Sequence, residues 1–375
     1  MAQTLETLLD SMTVEGDLYE KLPENSVRCY ACGHKCYIRD GGRGVCKVRF
    51  NEGGILKVPW GYFGALQCDP TEKKPFFHIY PGSETLTFGM LGCDLHCGYC
   101  QNWVTSQALR DPASEHSGAY PERTTPQQLV EYGLRHGAKL VGSSYNEPLI
   151  TSEWAQAVFK EAVAHGLKCV YISNGNVTKE VLDYIRPYMV GYKIDLKCMN
   201  DKRYRQLGAV LNNVLDGIKL IHDSGLWVEI VTLVIPGFND DTAELMEAAR
   251  YIASLSPNIP WHVTAFHPDY KMTEPDRTTA NTLLRAAEIG EEAGLNFVYA
   301  GNLPGQVGEY ENTYCPNCRH LLVGRVGYVI TAYNLTDAGR CPHCQSAVAG
   351  LWPKRAEVRL GTVADLYRRV PKRVR

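Results

Sequence analysis

Between residues 85 and 302, short apolar runs alternate with longer stretches in which apolar side chains recur every three or four positions. The runs at 85–91, 139–145, 168–174, 192–196, 227–235, 262–266 and 297–300 predict strands. The stretches at 126–136, 152–165, 179–188, 212–223, 242–254 and 279–293 predict amphipathic helices between them. Strand and helix in strict alternation imply a parallel sheet with its helices outside, so the expected fold class is α/β: a partial or full parallel (β/α) barrel over 81–305. A small Cys-rich segment precedes it over 1–80, and a zinc-ribbon-like segment with a basic tail follows over 306–375.

The 375 residues are 45% hydrophobic and 21% charged, which excludes collagenous and disordered chains. The formal net charge is −2, so no general cationic field exists to hold nucleic acid or anionic lipid, and no extended nucleic-acid surface is expected. The local exception is 354–375, with eight basic residues against two acidic ones; a solvated helical face explains so short a tail. No run of about 18 apolar residues predicts a membrane span. The acidic start lacks the basic and apolar regions of a signal peptide, so a cytoplasmic location is expected. Fourteen cysteines in a reducing compartment then need another explanation than disulfides.

Eleven of them fall into three groups. Cys315, Cys318, Cys341 and Cys344 form two C-P-x-C knuckles similar to those of zinc ribbons and rubredoxins, with structural zinc expected ahead of mononuclear iron. Knuckles of that kind usually carry Gly after the second Cys, where Arg319 and Gln345 stand here. Cys29, Cys32, Cys36 and Cys46 lie in a Gly-rich segment with little apolar core, which a bound metal would fold. Zinc is the plainer reading and an auxiliary iron–sulfur cluster the rival. The third group, Cys93, Cys97 and Cys100, has only three members, and three thiolates leave one position of a metal centre open.

In a parallel (β/α) barrel, functional groups collect where strands end. Those ends carry the Cys93–Cys100 motif, Asn146-Glu147-Pro148, Ser173-Asn174-Gly175, Asp195-Leu196-Lys197, Ile235-Pro236-Gly237 and His267-Pro268. The C-x3-C-x2-C motif with Tyr99 before its last Cys resembles the signature of the radical S-adenosylmethionine superfamily. Together with Asp69-Pro70-Thr71-Glu72-Lys73-Lys74-Pro75-Phe76, Tyr145-Asn146-Glu147-Pro148, 235–240 and 266–270, nearly the whole chain resembles the radical enzymes of the AmmeMemoRadiSam system, relatives of the activating enzymes of glycyl radical enzymes.

The resemblance implies that Cys93, Cys97 and Cys100 ligate three irons of a [4Fe-4S] cluster. The fourth iron would chelate S-adenosylmethionine, and one electron would release a 5′-deoxyadenosyl radical that abstracts hydrogen from a substrate. It also implies that Asn146 and Glu147 hold the cofactor's amino group, that Asn174 and Asp195 approach its ribose or amino-acid moiety, and that Lys197 meets its carboxylate. Ile235 and Tyr99 would flank the adenine, and His267, or His262 in its place, the ribose. Two bland readings stand beside these: Glu147 as a helix cap, and Asp195 with Lys197 as a surface pair. The implied partners are a flavodoxin or ferredoxin as electron donor, Memo-like and Ammecr-like proteins, and an unidentified, small-molecule substrate. The alternatives are an activating enzyme that acts on a partner's glycine, or a zinc-ribbon module that binds protein or nucleic acid, with RNA as a substrate.

Overall fold

A computed structural model describes residues 4–368 and 372–373. Its main sheet contains β1 (Ala65–Pro70), β2 (Glu84–Gly89), β3 (Ala138–Ser143), β4 (Lys168–Ser173), β5 (Met189–Asp195), β6 (Trp227–Val234), β7 (Trp261–Ala265) and β8 (Val298–Gly301). From β2 to β8 each strand lies parallel to the next in chain order. Between them run α1 (Pro126–Arg135), α2 (Ser152–Ala164), α3 (Lys179–Ile185), α4 (Asp201–Leu207), α5 (Leu211–Asp223), α6 (Thr242–Leu255) and α7 (Ala280–Glu292). Local chemistry sets the helix starts. Thr125 and Gln128 form a reciprocal cap on α1, and Asp241 accepts the Ala243 and Glu244 amides at the start of α6.

One strand of the sheet was not among those expected from the sequence. The sheet begins earlier than residue 81, because β1 pairs antiparallel with β2 from Ala65↔Gly89 to Pro70↔Glu84. Its alternation is carried by Leu66 and Cys68, too few apolar positions to announce a strand. Among the described residues the sheet does not close, in keeping with the partial form of the expected barrel: β8 pairs with β7 alone, and β1 carries the short strand Lys372–Arg373 on its other edge. The architecture is therefore a partial barrel. Most of the basic tail beyond residue 368 lies outside the described residues.

The segment after β1 packs beneath the sheet. Phe76 and Ile79 are wholly buried against Leu140 and Val170, near the starts of β3 and β4. The amides of Phe77 and His78 both donate to the Glu229 carboxylate on β6, 2.9 Å each. The ribbon sheet of Thr313–Tyr314, Leu321–Val326 and Val329–Tyr333 docks on the same segment through buried Arg325, which donates to the Phe77 carbonyl (2.9 Å) and Thr313 Oγ1 (2.7 Å). In the knuckles, Arg319 (φ +58°) and Gln345 (φ +61°) adopt the left-handed turn that Gly normally supplies, so the departure in sequence leaves the geometry intact.

His78 joins the segment after β1 to barrel and ribbon: its ring nitrogens lie 2.7 Å from the Ala349 carbonyl and 2.6 Å from Tyr299 Oη. Burial pushes its pKa down to about 4 from 6.5. The folded state thus binds this proton less tightly than the unfolded chain. The stability His78 confers is complete above pH 6.5 and is lost as pH falls toward 4, on the order of 3 kcal/mol in all. Urea midpoints at pH 7 and 5 should differ more for the wild type than for His78→Gln; equal differences would remove His78 from the acid response.

Candidate functional site

The residues after β2 form a loop at the C-terminal rim of the sheet, the end at which parallel α/β sheets place their sites. Cys97 is buried and Cys93 and Cys100 are half-buried. The Leu95 amide donates to Cys93 Sγ (3.4 Å), and Ser106 Oγ lies 3.1 Å from Cys100 Sγ. Burial raises all three thiol pKa values, that of Cys97 to about 11 with Lys197 opposing the rise. Such thiols ionise when a cation arrives to accept them. Among the described residues, the four ribbon cysteines alone bring all their ligand atoms within 4.8 Å of one another, so the loop sulfurs are spread wider than one small ion would hold them. Three soft donors, widely set, aided by an N–H and a hydroxyl, fit an iron–sulfur cluster with one free corner.

Polar residues beyond the ends of β3 and β4 hold that loop. Asp94 accepts hydrogen bonds from Asn174 Nδ2 (2.7 Å) and Asn176 Nδ2 (2.9 Å), just beyond β4. Glu147 accepts from Ser173 Oγ (2.7 Å), the Asn174 amide (2.8 Å) and the Leu149 amide (3.1 Å), so it caps the turn at Pro148–Thr151 and braces β4 at once. Burial, and Asp94 after it, raise the Glu147 pKa to about 8. Asn146 Oδ1 receives the Met90 amide (3.0 Å). Asn146 and Asn174 thus use side-chain atoms to fix the cysteine loop, and Glu147 acts on it only through the Asn174 amide.

The other expected residues stand more openly on the rim. Asp195, at the end of β5, pairs with both Lys193 and Lys197. Burial works against the Asp195 charge, but the two ammonium groups beside it hold its carboxyl below the ordinary range. Against burial, the charges of Asp195 and Cys97 keep Lys197 protonated. Ile235 is buried, its amide bound to Asn239 Oδ1 (2.7 Å), and Tyr99 meets Phe238 edge-on at 5.8 Å between centroids. His267 is exposed, whereas His262 is buried and bonded to Glu229 at 2.7 Å. Both histidines line a cavity of about 390 Å³ together with Lys73, Gln101, Thr264 and Tyr299. Its size suits a small ligand.

Sequence reasoning missed Asp94, Asn176, Lys193 and Glu229. Asp94 sits inside the motif and Asn176 two residues past Asn174, so proximity was their only signal. It also missed the role of Tyr145, which holds a left-handed φ of +69° that bulky side chains avoid. Its hydroxyl is fixed by Lys74 Nζ (2.8 Å) and Thr87 Oγ1 (2.9 Å), and Lys74 in turn pairs with Asp69.

The ribbon quartet is compact, with Cys315 Sγ 3.5 Å from Cys344 Sγ and Cys318 Sγ 3.6 Å from Cys341 Sγ. A tetrahedral ion with Zn–S bonds of about 2.3 Å sets its sulfurs roughly 3.8 Å apart, so the quartet matches one metal ion. Among the described residues, no helix is long and apolar enough to cross a membrane.

The family model of the radical SAM superfamily matches residues 88–249, which carry the cysteine loop, Glu147, Asn174 and Lys197; this part of the chain is a radical SAM domain. It is 37% identical over 333 residues to "Uncharacterized protein MJ0808" of Methanocaldococcus jannaschii, covering 88% of this chain and 97% of that one. It is 25% identical over 200 residues to a pyruvate formate-lyase-activating enzyme of Staphylococcus epidermidis, covering 50% of this chain and 76% of that one. Among solved structures, a radical SAM methyltransferase from Sphaerobacter thermophilus matches with TM-score 0.45 and 13% identity over 77% of this chain and 76% of that one.

Proposed function

We propose that this chain is a radical S-adenosylmethionine enzyme of the AmmeMemoRadiSam type, acting on a small molecule in the cavity between Lys73, His262 and Tyr299. The observation that carries the reading is the loop of Cys93, Cys97 and Cys100, braced at the strand ends and flanked by the charged rim of Lys193, Asp195 and Lys197. When bound there, a reduced [4Fe-4S] cluster supplies the electron that cleaves the sulfur–C5′ bond of S-adenosylmethionine and so yields a hydrogen-abstracting radical. The protein's own part is to position and to exclude water. Lys197 offers a cation to the cofactor's carboxylate, with Asp195 fixing its direction. Glu147 offers a carboxyl oxygen to the amino group beside its bonds to Ser173 and Asn174, Tyr99 and Ile235 form apolar walls for the adenine, and His267 stands at the ribose. The ribbon quartet holds zinc, an electron donor of the flavodoxin or ferredoxin class supplies the reductant, and Memo-like and Ammecr-like proteins are the partners.

Lys197→Met tests the arrangement. Lys193 still neutralises Asp195, so the fold and the iron content should persist while the S-adenosylmethionine Kd rises about tenfold, or ~1.4 kcal/mol. An unchanged Kd would take Lys197 out of the cofactor site. The activating enzymes among the relatives favour one second reading, in which the substrate is a glycine of a partner enzyme. A glycyl radical signal after mixing with such a partner would establish it in place of small-molecule chemistry.

A further inference from the structure

We propose that Cys29, Cys32, Cys36 and Cys46 hold a second [4Fe-4S] cluster, set against the loop of Cys93, Cys97 and Cys100, which passes single electrons to that loop's cluster. Only its electron-passing half rests on the radical SAM reading. Three observations carry it.

The first is spacing. The chain contains its own reference for a single-ion site, the ribbon quartet with sulfur pairs at 3.5 and 3.6 Å. Among the described residues, no three of Cys29, Cys32, Cys36 and Cys46 come within 4.8 Å of one another, and in this they match the catalytic trio. They are nonetheless drawn together by the backbone: the Cys29 amide donates to the Cys36 carbonyl (3.0 Å), and Cys36 Sγ lies 3.7 Å from where a Cβ would stand on Gly44, two residues before Cys46. Four soft donors around a centre too wide for one ion are the ligand set of a cubane.

The second is ligand number. Four thiolates leave no vacant corner, so this cluster cannot chelate a cofactor or substrate as the trio's cluster can. Electron exchange is the chemistry left to it.

The third is position. One guanidinium spans both cysteine loops, with Arg110 Nη2 donating to the Val45 carbonyl (2.7 Å) and the Cys93 carbonyl (2.9 Å). Gly92, at φ +94°, has the Cys46 carbonyl 3.0 Å from where a Cβ would stand, so only Gly lets the loops approach this closely. Asp94 lies 4.0 Å from His34 Nε2, and His34 sits between Cys32 and Cys36. Asn176, which grips Asp94, also accepts the Gly33 amide at its carbonyl (2.8 Å).

The electron count balances. A low-potential one-electron donor of the flavodoxin or ferredoxin class reduces the quartet's cluster by one electron. That electron moves to the trio's cluster and is consumed when the sulfur–C5′ bond breaks, leaving methionine and the deoxyadenosyl radical with no proton transferred.

The test uses full-length protein reconstituted anaerobically, as wild type and as the triple variant Cys93→Ala, Cys97→Ala, Cys100→Ala. The wild type should hold about eight iron atoms and about one zinc, and the variant about four iron, about four sulfide and a paramagnetic signal on reduction. A variant free of iron and sulfide, carrying about two zinc, would overturn the second cluster. Equal iron in the two proteins would support the second cluster and overturn the radical SAM reading instead, so the two failures differ. For the transfer itself, pre-reduced protein freed of reductant should cleave about two S-adenosylmethionine molecules per chain, one electron each. Cleavage of about one would leave the clusters unconnected and overturn the relay.

Discussion

Replacing Cys93, Cys97 and Cys100 with alanine should lower 5′-deoxyadenosine formation by at least about a thousandfold, because no side chain can perform the electron transfer that the cluster supplies. Each sulfur has a defined environment: an amide N–H directed at Cys93, the charge of Lys197 acting on Cys97, and a hydroxyl beside Cys100. The loop itself is held by Asp94 through Asn174 and Asn176, and at its start by Asn146, none of which the variant alters. The unfolding transition should therefore stay close to that of wild-type apoprotein, which separates lost chemistry from lost folding. Product assay and urea unfolding on the same preparations check this. Undiminished 5′-deoxyadenosine from the variant would place the chemistry elsewhere.

Arg49→Met should destabilise the protein by about 3–5 kcal/mol, as expected when one partner of a buried ion pair is removed. Arg49 and Glu153 are both almost fully buried and joined by two short hydrogen bonds, 2.8 and 2.7 Å, and Arg49 also donates to the Ile150 carbonyl (3.0 Å). Truncation leaves the Glu153 carboxylate in the interior at the first turn of α2, with the Asp17 amide (3.3 Å) as its remaining hydrogen-bond donor from the N-terminal segment. The double variant Arg49→Met, Glu153→Leu should recover most of the loss, because the cost lies in the orphaned charge. Urea midpoints of the four proteins decide it. A single variant within ~0.5 kcal/mol of wild type would mean the N-terminal segment does not depend on this pair for its attachment to the barrel.

The strands from β2 to β8 were legible because a fully buried parallel strand writes itself as a continuous apolar run, and most of the helices because their apolar positions recur every three or four residues. β1 was not legible, since Leu66 and Cys68 alternate with Gln67 and Asp69 and leave no such run. The chemistry-bearing residues followed the same division. Residues at strand ends, such as Glu147, Asn174, Asp195 and Lys197, could be located by position along the chain. What they touch could not, because partners such as Asp94 and Asn174, or Arg49 and Glu153, are far apart in sequence and meet only in the folded sheet. Lys193 went unnoticed inside an apolar strand, although it neutralises Asp195. Arg319 and Gln345 show the reverse case, where a missing Gly suggested a weaker ribbon and the backbone adopts the left-handed turn regardless.

The most direct measurement of the central claim is electron–nuclear double resonance on the reduced, reconstituted protein with S-adenosylmethionine carrying an isotopically labelled amino nitrogen. Bound through the free corner of a cluster on Cys93, Cys97 and Cys100, the cofactor should show hyperfine coupling of that nitrogen to the cluster spin, absent in the triple alanine variant. A loaded cluster and bound cofactor with no such coupling would contradict the account.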